Sequence, residues 1–163
     1  MVNRALYEED IGSINAILKE LLETSFAQGA LLVDNAGQLI LNAGTTPDFD
    51  LHAFASLVAA DFAANSELAR LLGEDGFNTL VHQGGREHLY LTRVNARVIL
   101  AAVFDKRTSL GLVRLRVKRC VSDLRDCFQR LFDRRQQSIS EAPVIDPALV
   151  HGMESELERA FGG

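Results

Sequence analysis

The stretch Thr79-Leu-Val-His-Gln-Gly-Gly-Arg-Glu-His-Leu-Tyr-Leu-Thr-Arg-Val-Asn-Ala-Arg-Val-Ile-Leu-Ala-Ala-Val-Phe104 decides the fold. It holds three runs rich in β-branched, aromatic and aliphatic residues: Thr79–Gln83, His88–Val94 and Arg97–Phe104. Gly84-Gly85 marks the first connection and Asn95-Ala96 the second. Connections this short make hairpins, and hairpins make an antiparallel sheet. Val98–Phe104 is apolar throughout, as suits a central strand covered on both faces. Helices must then lie on each side of the sheet.

Reading outward, Gly29–Asp34 and Gln38–Ala43 form another hairpin around Asp34-Asn-Ala-Gly37, where Gly37 can take positive φ. Before it, residues 7–24 place Ile11, Ile14, Ile17, Leu18, Leu21 and Leu22 at helical spacing. After the loop 44–49, Asp50 is an N-cap for a helix over Leu51–Leu72, and Gly73 is its C-terminal stop. A last helix runs from about Ser109 to Arg134, with an apolar stripe of Val113, Val117, Cys120, Val121, Leu124, Phe128 and Leu131. The predicted order is α-β-β-α-β-β-β-α. This is an α/β (α+β) fold: a five-stranded antiparallel sheet with helices on both faces. Residues 1–135 read as one domain and 136–147, with Pro143 and Pro147, as a linker. Residues 148–163 read as an amphipathic helix with Leu149, Val150, Met153, Leu157 and Phe161 on one side.

Composition excludes several classes. The chain has 163 residues, a formal net charge of −5 and an ordinary 47% of hydrophobic residues. An acidic balance argues against nucleic acid as the main partner. No apolar run reaches membrane-spanning length, and the N-terminus has no secretory h-region, so a cytoplasmic protein is expected. Cys120 and Cys127 lie seven apart on one helix. Their Cα atoms are then about 10 Å apart, too far for a disulfide, and both read as core residues.

Residues Ala53–Ala64 read Ala-Phe-Ala-Ser-Leu-Val-Ala-Ala-Asp-Phe-Ala-Ala, in which only Ser56 and Asp61 are polar. A helix packed on one sheet should show a stripe, not apolar residues all round. Two surfaces must cover it. One is its own sheet, and a second copy of the chain is the economical other, so a homodimer is expected.

Catalytic patterns are missing. There is no G-x-x-x-x-G-K-[ST] loop, G-x-S-x-G elbow, H-E-x-x-H pair, C-x-x-C pair or EF-hand loop. His82 and His88 flank one hairpin and are placed to approach each other, but two histidines without a third ligand make no metal site. The chain is expected to be non-catalytic, with neither metal nor cofactor. Arg86 and Arg107 lie near loops and read as surface charge rather than as arginine fingers. Charge is uneven. Lys106–Arg135 holds ten basic and three acidic residues, a local +7 against −12 for the rest. That segment reads as a solvated helix face, with an acidic partner or an anionic membrane as the functional alternative.

Four stretches resemble the Roadblock/LC7 family, in particular its bacterial MglB-like branch. They are Val103-Phe-Asp-Lys-Arg-Thr-Ser-Leu-Gly-Leu-Val-Arg-Leu-Arg116, Leu32-Val-Asp-Asn-Ala-Gly-Gln-Leu39, Leu68-Ala-Arg-Leu-Leu-Gly-Glu74 and Gly85-Arg-Glu-His-Leu-Tyr90. The resemblance spans about residues 7–134. It implies a dimer whose second helices lie side by side and whose third strands join the two sheets. It implies a partner, one small Ras-like GTPase of the MglA type per dimer, whose GTP hydrolysis the dimer stimulates without an arginine finger. It also implies a role in cell polarity and gliding motility, with the cell pole as an address.

Carried onto this sequence, the resemblance puts the GTPase-binding surface at Ala59, Ala60, Ala63, Ala64 and Glu67. The dimer interface falls at Phe54, Leu57, Val58, Asp61, Phe62, Leu80 and His82. The C-terminal helix, through Leu149, Met153, Leu157 and Phe161, is expected to dock separately and promote nucleotide exchange. Two positions depart from the branch: Ala60-Asp61-Phe62 replaces an Ala-Gly-Asn stretch, and Glu67 stands where glycine is common. The alternative role is a Roadblock-type scaffold that binds a GTPase or another partner without stimulating hydrolysis.

Overall fold

Alternation along the strands sorts their side chains onto two faces, and at the centre of the sheet both faces are buried. The computed structural model describes residues 2–45, 48–140, 152, 155–156 and 158–160. Its elements are α1 (Val2–Ser25), β1 (Gly29–Asp34), β2 (Leu39–Gly44), α2 (Leu51–Leu71), β3 (Thr79–Gln83), β4 (His88–Arg93), β5 (Val98–Phe104) and α3 (Leu110–Ser140). The sheet order is β2-β1-β5-β4-β3, and every pairing is antiparallel. β5 is the central strand, buried at all of its residues. The predicted fold class and element order hold.

One face carries Leu31, Val33, Leu91, Ile99, Ala101 and Val103 and packs under Ala55, Val58 and Phe62 of α2. Ala30, Leu32, Leu100 and Ala102 alternate with them onto the opposite face and are also buried. That face is the side of α1 and α3, whose buried stripes include Ile14, Leu18 and Leu21, and Val113, Val117, Cys120, Val121 and Leu124. Cys127, rather than Phe128, extends the α3 stripe. Both cysteines are free and buried, and burial pushes the Cys120 thiol up to about 12.

The chain divides into two units, Met1–Gln129 and Arg130–Gly163. The first holds the sheet. In the second, α3 continues to Ser140, so residues 136–140, expected as linker, are helical. No proline or glycine interrupts Arg134–Ser140, and a helix propagates cheaply once nucleated. Residues 152, 155–156 and 158–160 are helical as well. Leu149, Met153, Leu157 and Phe161 lie outside the described residues.

Two local features bear on function. The β5–α3 connection is clasped by Asp105. Its carboxylate accepts from Arg107 Nε at 3.0 Å, from the Arg107 backbone N–H at 2.9 Å, and from the Gln28 side chain. These donors, Arg107 foremost, hold the Asp105 carboxyl well below the usual carboxylate range. The clasp ties the α1–β1 corner to the start of α3. At that corner Phe26 follows α1 with φ 59°, in the left-handed region where helix ends ordinarily place glycine.

In the β1–β2 turn, Gly37 takes φ 85°, the positive φ that the sequence allows there. A Cβ there would sit 2.9 Å from Cα of Ser56 in α2, so the hairpin is seated directly on that helix. Gly37→Ala should therefore lower unfolding free energy by about 2 kcal/mol in urea titration, from left-handed strain plus backbone overlap. Asp105→Asn tests the clasp. A lowered carboxyl pKa stabilises the fold above the unfolded value and is lost as pH falls through the folded one. The stability gap between the native chain and Asp105→Asn should thus be constant above about pH 5 and shrink below it.

Candidate interaction surface

Helix α2 begins at Asp50, whose side chain accepts from the N–H groups of His52 and Ala53 at 3.0 and 3.3 Å. From that cap the helix presents two apolar faces. The inner one, Ala55, Val58, Ala59, Phe62 and Ala69, is buried. The outer one runs Ala53, Leu57, Ala60, Ala64, Leu68, Leu71 at helical spacing, and every one of these is exposed. Leu57 is 69% exposed, Leu68 54% and Leu71 76%. Exposure of aliphatic side chains on this scale along one helix face marks an interaction surface.

Beside α2 runs β3, one of the two edge strands of the sheet. Its five residues hydrogen-bond to β4 on one side only, which leaves an open row of backbone donors and acceptors. Asp61 joins the two elements. Its carboxylate lies 2.6 Å from His82 Nε2 on β3 and accepts from Asn65 Nδ2 at 2.8 Å. Beneath it, the Arg93 guanidinium sits 5.6 Å from the centre of the Phe62 ring. Glu67 is paired with Arg70 at 2.8 Å. Both acids by which the sequence departs from the MglB-like pattern therefore have partners in this structure, which lessens the cost of covering them.

The expected site residues divide by face. Ala60, Ala63, Ala64, Glu67 and Leu57 are exposed along the outer side of α2. Val58 and Phe62, expected at the dimer interface, and Ala59, expected in the GTPase surface, are buried against the sheet. They shape the surface from below rather than lining it, because the helical period turns them toward β1, β4 and β5. Phe54 and Leu80 are half-buried against the same core, Asp61 is half-buried, and His82 is exposed. Ala53, Leu68 and Leu71 extend the outer face beyond the residues named from sequence. Their spacing from Leu57 was the available signal.

Near the start of α2 a cleft of about 440 Å³ opens beside the β3–β4 hairpin, lined by Phe49, Phe54, His82, Gln83, Glu87 and Leu89 among others. His82 and His88 do not meet, since they sit on opposite faces. His82 reaches Asp61, whereas His88 packs on Phe104 with ring centres 5.1 Å apart. Their pairing partners are Leu89 and Gln83 respectively. Among the described residues no three His, Cys, Asp or Glu side chains are grouped to hold a metal ion. Nor is any described helix long and apolar enough to cross a membrane.

A five-stranded antiparallel sheet with β3 at one edge, and a helix joined to that edge through Asp61 and His82 and apolar on both sides, defines an α+β domain that presents a strand and a helix face. The Roadblock/LC7 domain matches residues 13–104, and the chain belongs to the Roadblock/LC7 family. Within that family it is MglB-like. It is 44% identical to Myxococcus xanthus MglB over 72% of this chain and 95% of that one, with a TM-score of 0.69. It is 35% identical to the gliding protein MglB of Thermus thermophilus, covering 77% of this chain and 93% of that one, with a TM-score of 0.68. A Roadblock/LC7 domain from Streptomyces avermitilis, 14% identical over 71% of this chain and 97% of that one, shares the fold with a TM-score of 0.64. No curated protein matches the chain by sequence.

Proposed function

We propose that the chain is a non-catalytic, homodimeric regulator of a small Ras-like GTPase of the MglA type. One GTPase sits across the dimer, and its hydrolysis of GTP is stimulated. The observation that carries this reading is the exposed, small-residue outer face of α2 lying beside the open edge of β3. Two copies of β3 can complete each other's hydrogen bonds, and two copies of α2 can then cover Leu57 and its neighbours. Burying a leucine fully contributes about 2 kcal/mol. The alanines at 60, 63 and 64 leave room for another backbone to approach closely.

Stimulation in this reading comes from holding the GTPase's own catalytic groups in place, a gain in orientation and preorganised charge. Arg107 supports the absence of an inserted finger, because Asp105 engages it at 3.0 Å. The C-terminal segment, through Leu149, Met153, Leu157 and Phe161, is proposed to dock on the GTPase separately and favour nucleotide exchange. Cell polarity and gliding motility are the processes this regulation would serve, in the cytoplasm and at the cell pole. The scaffold reading differs in one respect, since it gives a complex with no faster phosphate release.

Phosphate release from MglA-type GTPases, with the full chain and with a chain ending at Ser140, separates these roles. Stimulation by both chains, with exchange lost only in the shorter, is the expected result. Ala63→Arg should abolish binding of the GTP-loaded partner while leaving the melting temperature unchanged, because Ala63 is exposed in the subunit. Unchanged binding would remove the site. Leu57→Asp should weaken the dimer by at least about thirtyfold in sedimentation equilibrium, the equivalent of one lost leucine contact. A native chain that stays monomeric at micromolar concentration would refute the dimer.

A further inference from the structure

The side of the sheet away from α2 carries a feature that the GTPase reading leaves unused. From Lys106 to Ser122 the sequence holds six basic residues and no acidic one. Buried Val113, Val117, Cys120 and Val121 fix which way α3 faces, and Arg114, Leu115 and Lys118 are exposed. Leu115 is 60% exposed. Lys106, Arg114 and Lys118 make no ion pair among the described residues. Among the acids at this end, Glu23, three residues before Phe26, is exposed. Asp105 engages Arg107, Asp123 lies 3.4 Å from Arg119, and Glu20 borders the crevice on the α1 flank.

Phe26 belongs to the same end of the molecule. Gln28, two residues on, bonds through its backbone to Val103 and through its side chain to Asp105. The corner that carries Phe26 is thus tied to the loop that carries Lys106. Phe26 is 62% exposed, and its φ of 59° is rare for a bulky residue. Glycine would end α1 without strain, so the helix stop does not call for a phenylalanine. Strain that the local structure does not require points to use of the side chain.

We propose that this end of the domain, through Phe26, Leu115, Lys106, Arg114 and Lys118, docks on an anionic lipid surface. Cations alone would suit any acidic partner. Leu115, exposed between Arg114 and Arg116, and Phe26, at the corner tied to the Lys106 loop, suit the boundary between headgroups and acyl chains, where apolar burial and attraction to anionic lipid act together. The outer face of α2, on the other side of the sheet, stays open. The proposal goes beyond the GTPase reading and does not depend on it.

Vesicle sedimentation with the full-length chain tests it. Binding to phosphatidylcholine–phosphatidylglycerol vesicles is expected, with little binding to phosphatidylcholine alone and loss on adding salt. The double substitution Arg114→Glu/Lys118→Glu should weaken partitioning about tenfold or more. Phe26→Gly should also weaken it, while its melting temperature stays at or above that of the native chain, so that a binding loss cannot be a folding loss. Absence of binding to the anionic vesicles at low salt would overturn the proposal. So would vesicle binding that either variant leaves intact, because the lipid-bound face would then lie elsewhere on the chain.

Discussion

Everything in this domain hangs on α2 resting on the sheet by one side only. Ala55, Val58 and Phe62 close over Leu31, Val33, Ile99 and Ala101. That contact has no room for larger backbone excursions, because Gly37 of the first hairpin comes within van der Waals range of Ser56. With the inner face committed, nothing among the described residues is left to cover the outer run from Ala53 to Leu71. An aliphatic surface of this kind is retained where another molecule covers it.

The sheet divides the molecule chemically. The α2 side presents small apolar residues and an open strand edge, with the two acids of α2 engaged by His82 and Arg70. The α1 and α3 side presents the cations of α3 and, at its near end, an exposed aromatic ring. A partner that seeks a flat, close-fitting helix face and one that seeks positive charge would therefore be served by opposite layers. In the proposed reading, these are a GTPase shared by two subunits and an anionic lipid surface.

Asp61 and Glu67 show why residue type alone misjudges a surface. Each introduces a carboxylate where the MglB-like pattern is small and neutral, and an unpaired carboxylate at a close interface carries a heavy desolvation penalty. In the fold each has a partner. His82 stands 2.6 Å from Asp61 across the gap between helix and edge strand, and Asn65 donates to the same carboxylate from one turn along.

Local pattern made most of the fold legible. Runs of β-branched, aromatic and aliphatic residues and the Gly84-Gly85 and Asn95-Ala96 breaks placed β3, β4 and β5. Seven apolar residues in Val98–Phe104 put that strand at the centre, Asp50 began α2, and Gly37 allowed a left-handed turn. These are short-range effects, written in neighbouring residues. What only the tertiary structure decided is which side of each element meets what. Val58, Ala59 and Phe62 are no more apolar than Leu57 or Ala60, and in a helix greasy all round composition cannot choose between them. The sheet chose, by burying whichever residues the helical period turned toward β1, β4 and β5. The pairing of Asp61 with His82, twenty-one residues apart, and the exposure of Phe26 depend likewise on long-range packing, which no local pattern encodes.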